Sequence, residues 1–235
     1  MSRIARCASL VIALAVLLAP GPAHAWANGR FGPDTYGAHD WVLDQAVRAV
    51  GRDARWVCRR AALRATDDPD TRDGIDHASA TWWHVYDRWG SSHYGDAPEA
   101  VRVWFERTQR RLRAGKRCSA SRALGIMSHM LADVAQPMHT DQTRLEERVH
   151  ASYEDAVDRR CTGPSACRYR MRFDGRDPAT PRARAIALAV NSHRRYSTLV
   201  GRYAQHGYDG TVDRITRGRL NAAANALADL IAALR

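Results

Sequence analysis

An all-α fold is predicted by three observations. Apolar residues recur at helical spacing, most clearly as Leu124, Met127, Leu131 and Val134, and again near the end of the chain as Ile215, Leu220, Leu227, Leu230 and Ile231. Turn formers separate these stretches, notably Thr66 to Gly74, Gly95 and Pro137. No stretch reads as a convincing strand, and there is no internal repeat or low-complexity tract. At 235 residues, one domain with a single core, a helical bundle, is the natural expectation.

The first 25 residues stand apart. Arg3 and Arg6 form a basic start, Leu10 to Leu18 is a short apolar block, and Ala23-His24-Ala25 is a small-x-small cleavage signal. The block is too short for a permanent span, and no later segment is apolar enough to be one. Residues 1–25 therefore read as a secretory signal peptide cut after Ala25, giving a secreted or periplasmic protein whose domain is residues 26–235. The cut makes Trp26 the mature N-terminus, where a free α-amino group and its own carbonyl form a five-membered chelate.

From Trp26 to Asp34 the chain is irregular. Tyr36 to Val50 reads as a helix with Trp41, Val42, Ala46 and Val47 on one side and His39 in its first turn. Arg55 to Arg64 is a short helical run, followed by the turn-rich loop from Thr66 to Gly74. A Trp-Trp-His-Val-Tyr-Asp cluster (82–87) leads through Gly95 to a helix that starts at Asp96 or Pro98 and runs to Arg113. Ser119 or Ser121 caps the central helix, which Pro137 ends. Leu145 to Val157 is the next helix. The polar stretch from Asp158 to Arg182 reads as an ordered loop, Pro181 opens a long helix to Tyr203, and Val212 to Leu234 closes the chain. Trp82, Trp83, Trp89 and Trp104 read as core or cleft wall, and His93, His193 and His206 as surface or satisfied polar residues.

The chain carries 36 Lys and Arg against 25 Asp and Glu. Two of the arginines leave with the leader, so the mature surplus is nine. This charge favours anionic partners such as phosphates, nucleic acid or lipid surfaces, but it is diffuse and does not choose among them. Cys7 also leaves, and Cys58, Cys118, Cys161 and Cys167 remain. An even count in an exported chain suggests two disulfides. Of three pairings, Cys161–Cys167 closing a short loop together with Cys58–Cys118 is preferred; no pair has the Cys-x-x-Cys spacing of a zinc thiolate site.

The chemistry concentrates between Ser128 and Glu154. His129 and Asp133 are four apart and share one helix face. Pro137 breaks that helix just before His139, and His150 and Glu154 repeat the four-residue spacing in the next amphipathic run. Neutral imidazole and carboxylate are the usual nitrogen and oxygen donors to zinc. Upstream stand His39, the Asp67-Asp68-Pro69-Asp70 loop and His84.

The ordered set of Trp26, His39, Asp70, His84, His129-x-x-x-Asp133, His139 and His150-x-x-x-Glu154 resembles the zinc-dependent phospholipase C and single-strand nuclease superfamily. Asp133-Val-Ala-Gln-Pro-Met-His139 is its most recognisable string. The resemblance implies three zinc ions in a cleft of an all-α bundle. Asp70, His84, His129 and Asp133 would hold one; Trp26, His39 and Asp133 a second; His139, His150 and Glu154 the third. It also implies that two close zincs acidify a shared water, whose hydroxide attacks phosphorus in line, with Asp70 orienting it or taking its proton and Asp133 bridging the two ions. Asp67 and Asp68 are alternatives to Asp70, and His77 is the alternative to His84, whose His84-Val-Tyr-Asp87 resembles the family's His-aromatic-aromatic-Asp.

The nuclease branch shows a Gly-Gly-Asn stretch and a final His-x-x-x-Asp, which are absent here. His150-x-x-Tyr153-Glu154-x-x-Val157 resembles the phospholipase branch. The implied substrate is phospholipid at a membrane or micelle surface, met by a monomer, with single-stranded nucleic acid as the alternative partner and a non-catalytic zinc-binding protein as the third reading. Gly29, Thr71 and Thr81 stand where choline-selective relatives carry acidic or aromatic residues, and the separate C-terminal lipid-binding domain of the toxin members is not expected.

Overall fold

The computed structural model of the chain describes residues 36–71, 81–89 and 93–234. In chain order the helices are α1 (Ala38–Val50), α2 (Arg59–Arg64), the single turn α3 (Asp68–Thr71), α4 (Ala97–Arg113), α5 (Arg117–Ala135), α6 (Arg144–Asp158), α7 (Pro181–His193), α8 (Tyr196–His206) and α9 (Gly210–Ala232). Short 3-10 turns occupy Gly51–Ala54, Thr81–Trp83 and Pro137–His139. Among the described residues no strand forms; there is one isolated bridge, between Cys161 and Cys167. The all-α expectation holds.

Helix α5 is the axis of the bundle. Every residue from Ala123 to Ala135 is buried, which is the signature of a helix wrapped on all sides rather than one lying on a surface. Helices α1, α2, α4, α7 and α9 surround it. The approach of α2 is close enough to require glycine: a Cβ on Gly125 would sit 2.2 Å from the Ala62 carbonyl oxygen and 2.9 Å from the Ala65 Cβ. The same central helix carries His129 and Asp133 at zero exposure. Buried polar groups in such a helix persist only if other elements bring them partners.

Both disulfides follow the preferred pairing, Cys58–Cys118 and Cys161–Cys167. The first ties α2 to the start of α5. Near this bridge the capping expectation fails. Helix α5 begins at Arg117, and neither Ser119 nor Ser121 caps it. The Ser121 hydroxyl donates to the Arg117 carbonyl and accepts the Cys58 amide at 2.8 Å, so it serves the α2 junction instead.

The stretch expected as one helix from Pro181 to Tyr203 is two. Helix α7 ends at His193, where the Ser192 hydroxyl, buried, donates to the Ala135 carbonyl at the end of α5. Helix α8 then starts at Tyr196, whose ring is buried and whose hydroxyl meets Thr143 Oγ1 at 2.9 Å. The turn-rich loop after Thr66 contains the helical turn α3, and the run from Arg55 is helical only from Arg59.

The expectation of an ordered loop after α6 holds, and its cause is visible on α9. Asn221, Asn225 and Asp229 are spaced one helical turn apart and accept the backbone N–H groups of Arg172, Asp174 and Asp177. The Asn225 amide also donates to the Arg172 carbonyl. One polar row on a helix thus satisfies the backbone of a segment with no regular structure of its own. No helix among the described residues is long and apolar enough to cross a membrane.

Candidate metal centre

The predicted residues arrive from separate elements. His39 lies in the first turn of α1, Asp70 on α3, His84 just after the turn Thr81–Trp83, and His129 and Asp133 on α5. His139 ends the 3-10 turn that Pro137 starts, and His150 and Glu154 share a face of α6. Trp26, His77 and Gly29, like the leader, lie outside the described residues.

Asp133 is the hub. Its Oδ2 lies 2.7 Å from His84 Nδ1 and 3.2 Å from His129 Nε2. Its other oxygen, Oδ1, faces His39 Nε2 at 3.6 Å. Asp70 Oδ1 approaches His129 Nε2 at 3.4 Å and His84 Nδ1 at 3.9 Å. Of the three carboxylates in the loop Asp70 therefore faces these imidazoles, while Asp68, itself buried, pairs with the exposed Arg122 side chain at 2.9 Å. The His39 and His129 rings stack at 4.0 Å. On the other side, His150 Nε2 meets Glu154 Oε1 at 2.7 Å, and His139 Nε2 lies 3.6 Å from the same oxygen.

Three groups result whose donor atoms lie within 4.8 Å of one another: His39, His129 and Asp133; Asp70, His84 and His129; and His139, His150 and Glu154. The family pattern assigns His129 only to the ion held with Asp70 and His84. In this geometry its Nε2 borders both of the first two groups.

The remaining nitrogens of three of these imidazoles point at fixed acceptors. His129 Nδ1 meets the Thr66 carbonyl at 2.7 Å, and His139 Nδ1 meets the His84 carbonyl at 2.9 Å. His150 Nδ1 contacts Glu146. In the neutral imidazole each such contact favours the ring proton on Nδ1, so that Nε2 is the nitrogen that can donate to a cation once its own proton has left. Gln136, the residue before the helix-ending proline, donates to Glu154 Oε1 at 3.0 Å. The backbone carbonyls and Gln136 carry no spacing signal that would have revealed them; Glu146 does, standing four residues before His150.

Electrostatics are extreme for so dry a place. Burial alone would depress the His129 imidazolium, but Asp133 and Asp70 override it and hold the ring well above the ordinary histidine range. Burial would likewise raise Asp133, yet His129, His84 and His139 hold it well below the usual carboxylate range. Asp70 is lowered by His129 and His84 against the same desolvation. Burial pushes His150 down, and Glu154 and Glu146 more than offset it, raising it to about 10. Glu154 is lowered by His150 and His139 despite its burial.

The donor set fits divalent metal. Asp133 Oδ1 and His139 Nε2 are buried with no hydrogen-bond partner, a costly state for polar atoms unless a cation lies between them and their neighbours. The groups offer imidazole nitrogen and carboxylate oxygen, the donors zinc accepts, and each has three such residues, the number that leaves a coordination position open to water.

Of the tryptophans expected as core or cleft wall, Trp104 is core, and Trp82 and Trp89 are each 39% exposed. Trp89 stacks on His193 at 3.9 Å, and His193 in turn lies parallel to Tyr196, so this histidine belongs to a stack that joins the His84 segment to the α7–α8 elbow.

No protein-family model matches the chain, and no curated protein matches it in sequence. Among solved structures its fold is similar to that of alpha-toxin from an avian strain of Clostridium perfringens, with a TM-score of 0.64 at 13% identity. The similarity covers 88% of this chain and 64% of the toxin chain, so this chain spans less than two thirds of its neighbour's length.

Proposed function

We propose that the chain is an exported zinc-dependent phosphodiester hydrolase that acts as a phospholipase C, releasing diacylglycerol and a phosphorylated head group. The observation that carries this reading is Asp133, buried at the junction of two donor groups with one oxygen toward His84 and His129 and the other toward His39. That is the arrangement a carboxylate needs to bridge two cations. Shared fold with alpha-toxin supports the reading, as do the two disulfides, which suit an oxidising compartment.

In this proposal residues 26–235 form the catalytic domain. Asp70, His84, His129 and Asp133 hold one zinc, Trp26, His39 and Asp133 a second, and His139, His150 and Glu154 a third. Bound there, the metal supplies Lewis-acid chemistry, acidifying a water and neutralising phosphate oxygens. The chain does the rest. Asp70, whose Oδ1 lies 3.4 Å from His129 Nε2, orients the attacking water and takes its proton. The Thr66 and His84 carbonyls keep the His129 and His139 rings in place. Attack at phosphorus breaks the bond to the glycerol oxygen, and the proton taken up by Asp70 returns through solvent to that oxygen, which leaves as diacylglycerol. The partner is a phospholipid surface, with which a cationic monomer is electrostatically compatible.

The test uses zinc-loaded protein beginning at Trp26, assayed on phosphatidylcholine and phosphatidylethanolamine dispersions beside single-stranded DNA and RNA, with and without chelator. Chelator-sensitive release of diacylglycerol is expected. Cleavage of nucleic acid alone would overturn the phospholipase reading while keeping the metal centre, and silence on every substrate would overturn hydrolysis itself.

A further inference from the structure

Thr143 and Glu146 have the spacing of a capping box, in which the hydroxyl accepts the N–H three residues on and the glutamate reaches back to the amide of the cap residue. Only half of that exchange occurs. Thr143 Oγ1 accepts the Glu146 amide at 3.2 Å, but the Glu146 carboxylate turns forward along α6 and meets His150 Nδ1. A side chain that local rules assign to the helix end has been diverted to an imidazole, and such departures mark functional positions. Glu146 is buried although it sits in the first turn of a helix whose neighbours Leu145 and Glu147 are exposed.

The direction of the bond matters. Glu154 takes the Nε2 side of His150 and Glu146 the Nδ1 side. The two nitrogens point away from each other across the ring, so Glu146 cannot reach a cation shared by His139, His150 and Glu154. It can only hold the ring from behind. His129 and His139 are held by backbone carbonyls; His150 has a carboxyl group at its back. A carboxylate there sets the tautomer and raises the basicity of the opposite nitrogen.

We infer that Glu146 is a positioning residue for the His139–His150–Glu154 group, fixing His150 with Nε2 toward the cation. The inference rests on the metal reading above and adds a residue that the family string does not contain.

The experiment measures zinc, not turnover. Wild type, Glu146→Ala, Glu146→Gln and Glu147→Gln are loaded and titrated with a competing chelator, following ions released per chain, while exchange of the His150 Nδ1–H proton with solvent is followed by NMR. Glu146→Ala is expected to weaken one ion by about 10- to 100-fold, leave the others unchanged, and speed exchange of that proton. Glu146→Gln keeps an acceptor oxygen and restores the protection but only part of the affinity. Glu147→Gln removes the same charge from an exposed neighbour and should behave as wild type. Wild-type release curves and unchanged Nδ1–H exchange in Glu146→Ala would overturn the inference alone. A wild-type chain that binds nothing through His139, His150 and Glu154, tested against His150→Ala, would overturn the metal reading and this inference together.

Discussion

His84 Nδ1 and Asp133 Oδ2 lie 2.7 Å apart across 49 residues of sequence. The contact joins the only described imidazole that lies outside any helix or 3-10 turn in the centre to the carboxylate of the buried central helix, and it places Asp133 in reach of two donor groups at once. Asp133→Asn keeps the shape and removes the charge. Metal content measured by elemental analysis is expected to fall, and hydrolysis to drop by more than about 100-fold, beyond the loss usual for outer partners of a metal ligand. Retention of full zinc and rate would show that Asp133 does not bridge.

Metal loading should release protons. Without metal, the carboxylates around them keep His129 protonated well above its usual range and His150 protonated up to about 10, whereas a ligand imidazole must be neutral. Near pH 7 about two protons should leave as the ions bind, and apparent affinity should rise with pH. Calorimetry in two buffers of different ionisation enthalpy counts them; zero release would contradict the ligand roles. For the metal-free chain the sign is the opposite. A raised histidine stabilises the fold fully below its unfolded value near 6.5, and that stability is lost as pH rises through about 10.

Gly125 should not tolerate a side chain. The added Cβ of Gly125→Ala meets backbone at Ala62 rather than a flexible side-chain tip, so α2 and α5 must separate. A cost of about 1–3 kcal/mol is expected, seen as a fall in Tm of roughly 2–4 °C per kcal/mol for a chain of this size. An unchanged melting curve would mean that the junction yields freely.

The two disulfides should differ in worth. Cys58–Cys118 closes a 60-residue separation and Cys161–Cys167 one of six. Loop-closure entropy assigns about 4 kcal/mol to the first and about 2 kcal/mol to the second. Denaturant unfolding of the paired serine variants, Cys58→Ser with Cys118→Ser and Cys161→Ser with Cys167→Ser, should rank them in that order.

What could be read along the chain was information local to one helix. The spacing of His129 and Asp133, and of His150 and Glu154, places each pair on one face whatever the helix packs against. The apolar stripe of α5 and the proline at 137 likewise mark a helix and its end without reference to anything distant. The order of His39, Asp70, His84 and His139 became meaningful only through resemblance, because no periodicity connects them.

Packing settled the rest. Asp68 and Asp70 are two positions apart in a turn-rich loop, and nothing in the loop says which meets the imidazoles until Arg122 claims Asp68 and α5 presents His129 to Asp70. Ser121 has a capping residue's chemistry but spends its hydroxyl on the α2 junction. The helix expected through Tyr203 stops at His193 with no proline or glycine to stop it, where Ser192 bonds to the end of α5 and Tyr196 turns inward. Glu146 satisfies the pattern of a cap and performs another task. In these cases the local pattern offered the side chain one partner and the folded chain gave it another. Removal from water inside the bundle favours whichever partner leaves no buried polar group unmet, and that is a property of the assembled helices rather than of any stretch of the chain.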